Sequence, residues 1–178
     1  MQRDMFASGL AAQIGMNAFG VWQAVKAHAD FESGEAWPSM RRLGDMTGLS
    51  VGAVHKSVDT LLQARLLRVV TKGNRGRGST YVARERMDVR LGERVLCTIV
   101  LDYVPATLRK TLADISEAVK GDVASPEVFA ACEVIPGDGF VWDASSGLLR
   151  ASIPASDIPR SPDDGFPQLP PGSNGLLS

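Results

Sequence analysis

Apolar residues recur along the first third of the chain with the period of an α-helix. Val21, Trp22 and Val25 fall at i, i+1 and i+4, and Ala18 extends the stripe backwards. This predicts a helix from Asn17, a candidate N-cap, to about Ala29. Residues 1–15 are weakly helical, with Met5, Leu10 and Ile14 as candidate packing residues. The stretch from Asp30 to Ala36 reads as a polar connection. Trp37-Pro38 opens the next element, because Pro38 disfavours helix at Trp37. Met40, Leu43 and Met46 at i, i+3 and i+6 predict a short second helix that Gly48 ends. Val54, Val58, Leu61 and Leu62 line one face of a third helix, capped by Ser50. Its opposite face carries His55, Lys56, Asp59 and Gln63.

The period then changes. Leu66 to Val70 and Thr80 to Ala83 are rich in β-formers and flank Lys72-Gly73-Asn74-Arg75-Gly76-Arg77-Gly78, which predicts a β-hairpin. Arg94 to Val104 is a nearly continuous apolar run, the pattern of a buried strand. Pro105 fits the first position of a helix whose stripe is Leu108, Leu112, Ile115 and Val119, with Gly121 as its stop. Ser125-Pro126-Glu127 opens a shorter helix through about Ala131. Phe140–Asp143 and Leu148–Ile153 flank Ala144-Ser145-Ser146-Gly147, a second hairpin. From Pro154 onward six prolines fall in twenty-five residues without periodicity, the pattern of a disordered tail. The fold class expected is α+β. The organisation expected is a winged helix-turn-helix domain over residues 1–90, a small acidic α+β domain over 91–153 as the candidate for dimerisation, and a disordered tail over 154–178.

A short helix, a tight turn at Thr47-Gly48-Leu49, a second helix and a hairpin follow one another in the order of a winged helix-turn-helix. The commonest use of that module is to place one helix in the DNA major groove. Charge sharpens the picture. Residues 38–90 hold eleven Lys and Arg against four Asp and Glu, a net of +7, while the whole chain carries −1. Such asymmetry points to a basic nucleic-acid module joined to a non-binding part. An apolar content of 44% is enough for a core.

Other chemistries find little to work with. Cys97 and Cys132 are far apart in apolar surroundings and read as buried reduced thiols. With His28 and His55 they complete no metal cluster. No nucleophile–base set is suggested by spacing, so no catalytic residue, metal or cofactor is expected. Tyr103 beside Asp102 reads as a core tyrosine on a buried strand. No run approaches the roughly 18 apolar residues of a membrane span, and the N-terminus lacks the pattern of a signal peptide. A soluble, cytoplasmic protein is expected.

Each candidate DNA contact has a chemical reason. Arg41 and Arg42, near the start of the second helix, present guanidinium forks suited to phosphate. The N-terminal residues of the third helix face base edges. Among them Lys56 suits phosphate or guanine, His55 donates or accepts according to its tautomer, and Val51 and Ala53 fit a thymine methyl. Ser50 has a structural task as N-cap beside any base contact. Gly52 costs helix stability, on the order of 1 kcal/mol against Ala. Lys72, Asn74, Arg75 and Arg77 sit on a glycine-rich wing suited to a narrow minor groove or flanking phosphates.

Residues 17–84 resemble the winged helix-turn-helix modules of bacterial, plasmid and phage regulators and replication initiators. The residues that carry the resemblance are the first helix, Ala36-Trp37-Pro38-Ser39, Leu43, Thr47-Gly48-Leu49-Ser50, Val54, Val58, Leu61-Leu62 and Leu66-Leu67. The module is also similar to the DNA-binding part of GntR-type repressors, including Gly78-Ser79-Thr80-Tyr81-Val82. Those repressors carry a larger effector domain, and no ligand constellation is evident between Leu91 and Ile153, so no small-molecule effector is expected. The chain departs from the pattern twice. Val51-Gly52 replace the arginines common after the capping serine. Arg65 replaces the glycine common after the third helix, and so is expected in a left-handed conformation. The resemblance implies sequence-specific binding of double-stranded DNA by a transcriptional regulator, acting as a homodimer because one lightly armed module reads too little sequence. Two alternatives are a plasmid or phage replication or partition accessory binding origin repeats, and a protein-interaction module without DNA binding.

Overall fold

The structure is a computed structural model and describes residues 9–74, 78–121 and 126–152. The expectations for Met5, Arg75, Arg77 and the tail at 154–178 lie outside the described residues. The chain is mixed α+β. Its elements are α1 (Leu10–Ile14), α2 (Met16–Ala27), β1 (Glu35–Ala36), α3 (Met40–Thr47), α4 (Val51–Gln63), β2 (Leu67–Thr71), β3 (Thr80–Leu91), β4 (Arg94–Asp102), α5 (Leu108–Lys120), α6 (Pro126–Phe129), β5 (Cys132–Pro136), β6 (Phe140–Asp143) and β7 (Leu148–Ala151).

The first core is built from the periodic positions. Val21, Trp22 and Val25 are inaccessible or nearly so, and Ala18 is buried with them. Leu43, Val54, Val58, Leu61, Leu66 and Leu67 pack on this face, joined by Leu10 and Ile14 from α1. Full burial of a side chain of this size stabilises the fold by about 1.5–3 kcal/mol. The start of α2 differs from the expectation. Gly15, at φ 80°, occupies the N-cap, and Asn17 lies exposed within the first turn. The reason is α1, whose chain turns at Gly15 to enter α2. Met46 also differs. It is largely exposed, with its Sδ 3.0 Å from His28 Nε2. Only the Met40–Leu43 side of this short helix meets the core.

β3 organises the sheet. Its first half pairs antiparallel with β1 (Ala36 opposite Tyr81) and with β2 (Leu67 opposite Ala83). Its second half pairs with β4, from Arg84 opposite Asp102 to Leu91 opposite Arg94, and β5 adds to β4. Ala36 therefore belongs to a two-residue strand rather than to a plain connection. The boundary expected between residues 90 and 91 falls at the far tip of the β3–β4 hairpin. One continuous strand serves both halves of the molecule. β6 and β7 form a separate hairpin, as the pattern predicts.

A second core lies on one face of β3–β5. Cys97, Ile99 and Leu101 pack against Leu108 and Ile115 of α5, with Met87, Val89, Phe129 and Val134 around them. Pro105 is in the turn before α5, and Thr107 is its N-cap. Val119 is 44% exposed because α5 has only one stripe of contact, ending near Ile115. Gly121 stops α5 in an extended conformation. Both cysteines are free, Cys97 buried and Cys132 half-buried, and burial raises both thiol pKa values.

The two cores meet at Tyr103, which follows the end of β4. Its N–H donates to the Ala83 carbonyl at 2.7 Å. Its ring lies 4.3 Å from the Lys26 ammonium, which also sits over Trp22 and pairs with the buried carboxylate of Glu85.

Candidate nucleic-acid interface

The α3–turn–α4 unit is shaped by local chemistry. The Ser39 hydroxyl accepts from the Arg42 N–H at 3.1 Å and caps α3. Gly48, at φ 72°, ends α3 in the left-handed region, and the Leu49 N–H returns to the Gly44 carbonyl at 3.2 Å. Gly44 is required here, because a Cβ on it would lie 2.7 Å from the Leu49 carbonyl oxygen. The Ser50 hydroxyl then accepts from the Ala53 N–H at 3.3 Å and caps α4. Neither helix has an acidic residue in its first turn. Both positive helix ends are therefore uncompensated, which favours an anion.

α4 ends in a Schellman motif. Leu66 N–H donates to the Leu61 carbonyl at 2.9 Å and Arg65 N–H to the Leu62 carbonyl at 3.1 Å. Arg65 has φ 59° and is the one non-glycine residue with positive φ among the described residues. The left-handed conformation expected from the missing glycine is present.

Val51, Gly52, His55 and Lys56 are all exposed on α4. Ala53 is half-buried, beside a groove of about 410 Å³ that Lys56 also lines between α4 and the start of α2. Nothing lies within 4 Å of where a Gly52 Cβ would be. Arg41 and Arg42 are exposed at the start of α3. Lys72 and Asn74 are exposed at the base of the β2–β3 loop, where the Gly73 N–H donates to the Ser79 hydroxyl at 3.0 Å. Arg75 and Arg77 lie outside the described residues.

Ion pairing divides the basic residues into two sets. Arg65 and Arg84 pair with Glu133, Arg84 and Arg68 pair with Asp102, and Arg86 and Arg90 contact Asp88. Hydrogen bonds to Asp102 raise the Arg68 pKa, whereas burial lowers that of Arg84 despite the same carboxylate. Arg41, Arg42, Lys56 and Lys72 have no ion-pair partner among the described residues. Within residues 38–90, the described cations without an ion-pair partner are those that the pattern places on the DNA side, whereas Arg65, Arg68 and Arg84 pair near the joint between the cores and Arg86 and Arg90 pair further along β3; outside that segment Arg109, Lys110 and Lys120 on α5 also lack an ion-pair partner among the described residues.

Some features of this surface escape the sequence reading. Ser39 is the cap of α3, signalled by its place directly after Pro38. Gly44 sets the helix–helix approach, and Trp37, just before that cap, is 60% exposed. Among the described residues no group of three or more His, Cys, Asp or Glu could hold a metal ion, and no helix is long and apolar enough to cross a membrane. No family model, curated protein or solved structure matches the chain.

Proposed function

We infer that the first half of the molecule is a winged helix-turn-helix and that the protein is a non-enzymatic, sequence-specific binder of double-stranded DNA. In this reading α4 enters the major groove, α3 crosses the backbone and the β2–β3 loop is the wing. The observation that carries it is the set of exposed cations without ion-pair partners, Arg41, Arg42, Lys56 and Lys72, beside two capped helix N-termini free of acidic residues.

Transcriptional regulation by a homodimer is the use we propose, with the cytoplasm as its location. A single module with His55, Lys56, Val51 and Ala53 as its base readers specifies little sequence, and two on a symmetric site double the readout. Leu91, Val119, Val141 and Leu148 are exposed in the C-terminal half and offer apolar area for a second copy. Selection of bound sequences from a random duplex pool tests the proposal. A palindromic consensus is the expected result, direct repeats favour a replication or partition role, and no enrichment over the input pool contradicts sequence-specific binding.

A further inference from the structure

Behind the DNA-facing surface, the end of α4 stands across from the β3–β5 sheet over a cleft of about 370 Å³, within the size range of small-molecule sites. Gln63 and Arg65 line it from α4 and its exit, and Arg86 and Thr98 from the sheet. Ile14, Val100 and Ile135 supply apolar lining, and no Asp or Glu is among the lining residues. The two guanidinium groups are in different states. Arg65 is committed to Glu133. Arg86 has only a loose contact, 3.8 Å from Asp88 Oδ1. That same Oδ1 accepts from the Thr98 hydroxyl at 2.8 Å, and Oδ2 accepts from Arg90 at 3.2 Å. The Arg86 fork thus retains donors for another acceptor, beside an apolar surface.

We propose that this cleft is a binding site for a small aliphatic carboxylate. The carboxylate takes the planar fork of Arg86, which matches it in geometry, and the hydrocarbon lies on the half-buried Ala64 and Ile135, at the edge of Ile14. Such a ligand touches α1, the end of α4 and the sheet together, where Arg65 already holds a strained left-handed conformation. The site does not depend on the DNA-binding reading, and its test uses no DNA.

The test is titration of the ¹⁵N-labelled full chain with hexanoate, with hexanamide as the isosteric uncharged control. Hexanoate is expected to give saturable amide shifts at Arg86, Thr98 and Ile135, and hexanamide to bind at least about tenfold more weakly, the usual worth of a charge-assisted hydrogen bond. Arg86→Gln should remove the preference for the carboxylate, while Arg109→Gln, at an exposed position on α5, should retain it. Equal shifts from the two probes, or hexanoate shifts that map away from the cleft, would overturn the proposal. The comparison of probes on the unaltered chain decides the matter even where the variant does not fold.

Discussion

Arg41, Arg42, Lys56 and Lys72 stand exposed around α3, α4 and the end of β2 with no ion-pair partner among the described residues. From the same stretch of chain, Arg65, Arg68 and Arg84 are held by Asp102 and Glu133 at the joint between the two cores, and Arg86 and Arg90 contact Asp88 further along β3. The difference teaches how to read a basic segment. Its net charge of +7 over residues 38–90 counts both sets alike, but Asp102 and Glu133 lie beyond that segment and offset part of it. What remains uncompensated is concentrated on one helical surface and its neighbouring loop. The joint uses cations to hold elements together. The outer surface leaves its cations exposed and unpaired, which is what the proposed DNA binding requires.

The contrast can be broken most strongly at the joint. Lys26 and Glu85 form a buried pair, with side-chain exposures of 12% and 4%. Lys26→Met leaves the Glu85 carboxylate without that partner and is expected to cost about 3–5 kcal/mol in urea unfolding. A loss below 1 kcal/mol would show that the joint is not held in this way. Between α3 and α4, Gly44→Ala drives a Cβ against the Leu49 carbonyl and should destabilise by about 1–3 kcal/mol. Gly52→Ala, eight residues on, meets open space. It should stabilise by about 0.5–1 kcal/mol through helix propensity alone, so the two variants should move the urea midpoint in opposite directions.

The smallest effect concerns acid. The Asp143 carboxylate accepts from the Ser145 hydroxyl at 2.6 Å and from the Ser145 and Ser146 N–H groups in the β6–β7 turn, and hydrogen bonding of this kind lowers its pKa from 3.8 to about 2. A carboxylate depressed in the folded state contributes stability above its unfolded pKa and loses it as pH falls through the folded value. The hairpin should therefore be unaffected above about pH 5 and loosen between about pH 4 and 2. Amide exchange at Leu148 and Leu149 measures this, and Asp143→Asn should abolish the pH dependence.

What was legible in the sequence was local. Ser50, Gly48 and Arg65 each act within five residues of their own position, so a capping rule or a missing glycine is enough to place them. The apolar stripes of α2 and α4 were legible for the same reason. The second half of β3 carries a signal of its own: Met87, Val89 and Leu91 alternate with Arg86, Asp88 and Arg90, the period of a half-buried strand. β1 is too short to announce itself, and both β1 and β5 pair with an edge that β3 and β4 offer them. The division of the cations was legible only for Arg86 and Arg90, whose partner Asp88 lies two residues away. Arg65 and Glu133 are 68 residues apart, and Arg68 and Asp102 are 34 apart. Only the folded sheet brings them together. The cleft was hidden likewise, because its walls come from both halves of the chain.

The central claim, that the unpaired cations form the DNA-binding surface, is tested most directly by the salt dependence of affinity for a duplex of fixed sequence. Each lysine or arginine that meets a phosphate contributes roughly 0.9 to the slope of log affinity against log salt. Replacing Arg41, Arg42, Lys56 and Lys72 together by Gln should lower that slope by about 3 to 4 units and leave urea stability within about 0.5 kcal/mol. Replacing Arg86 and Arg90, from the paired set, should leave the slope unchanged. An unchanged slope in the fourfold variant would contradict the account.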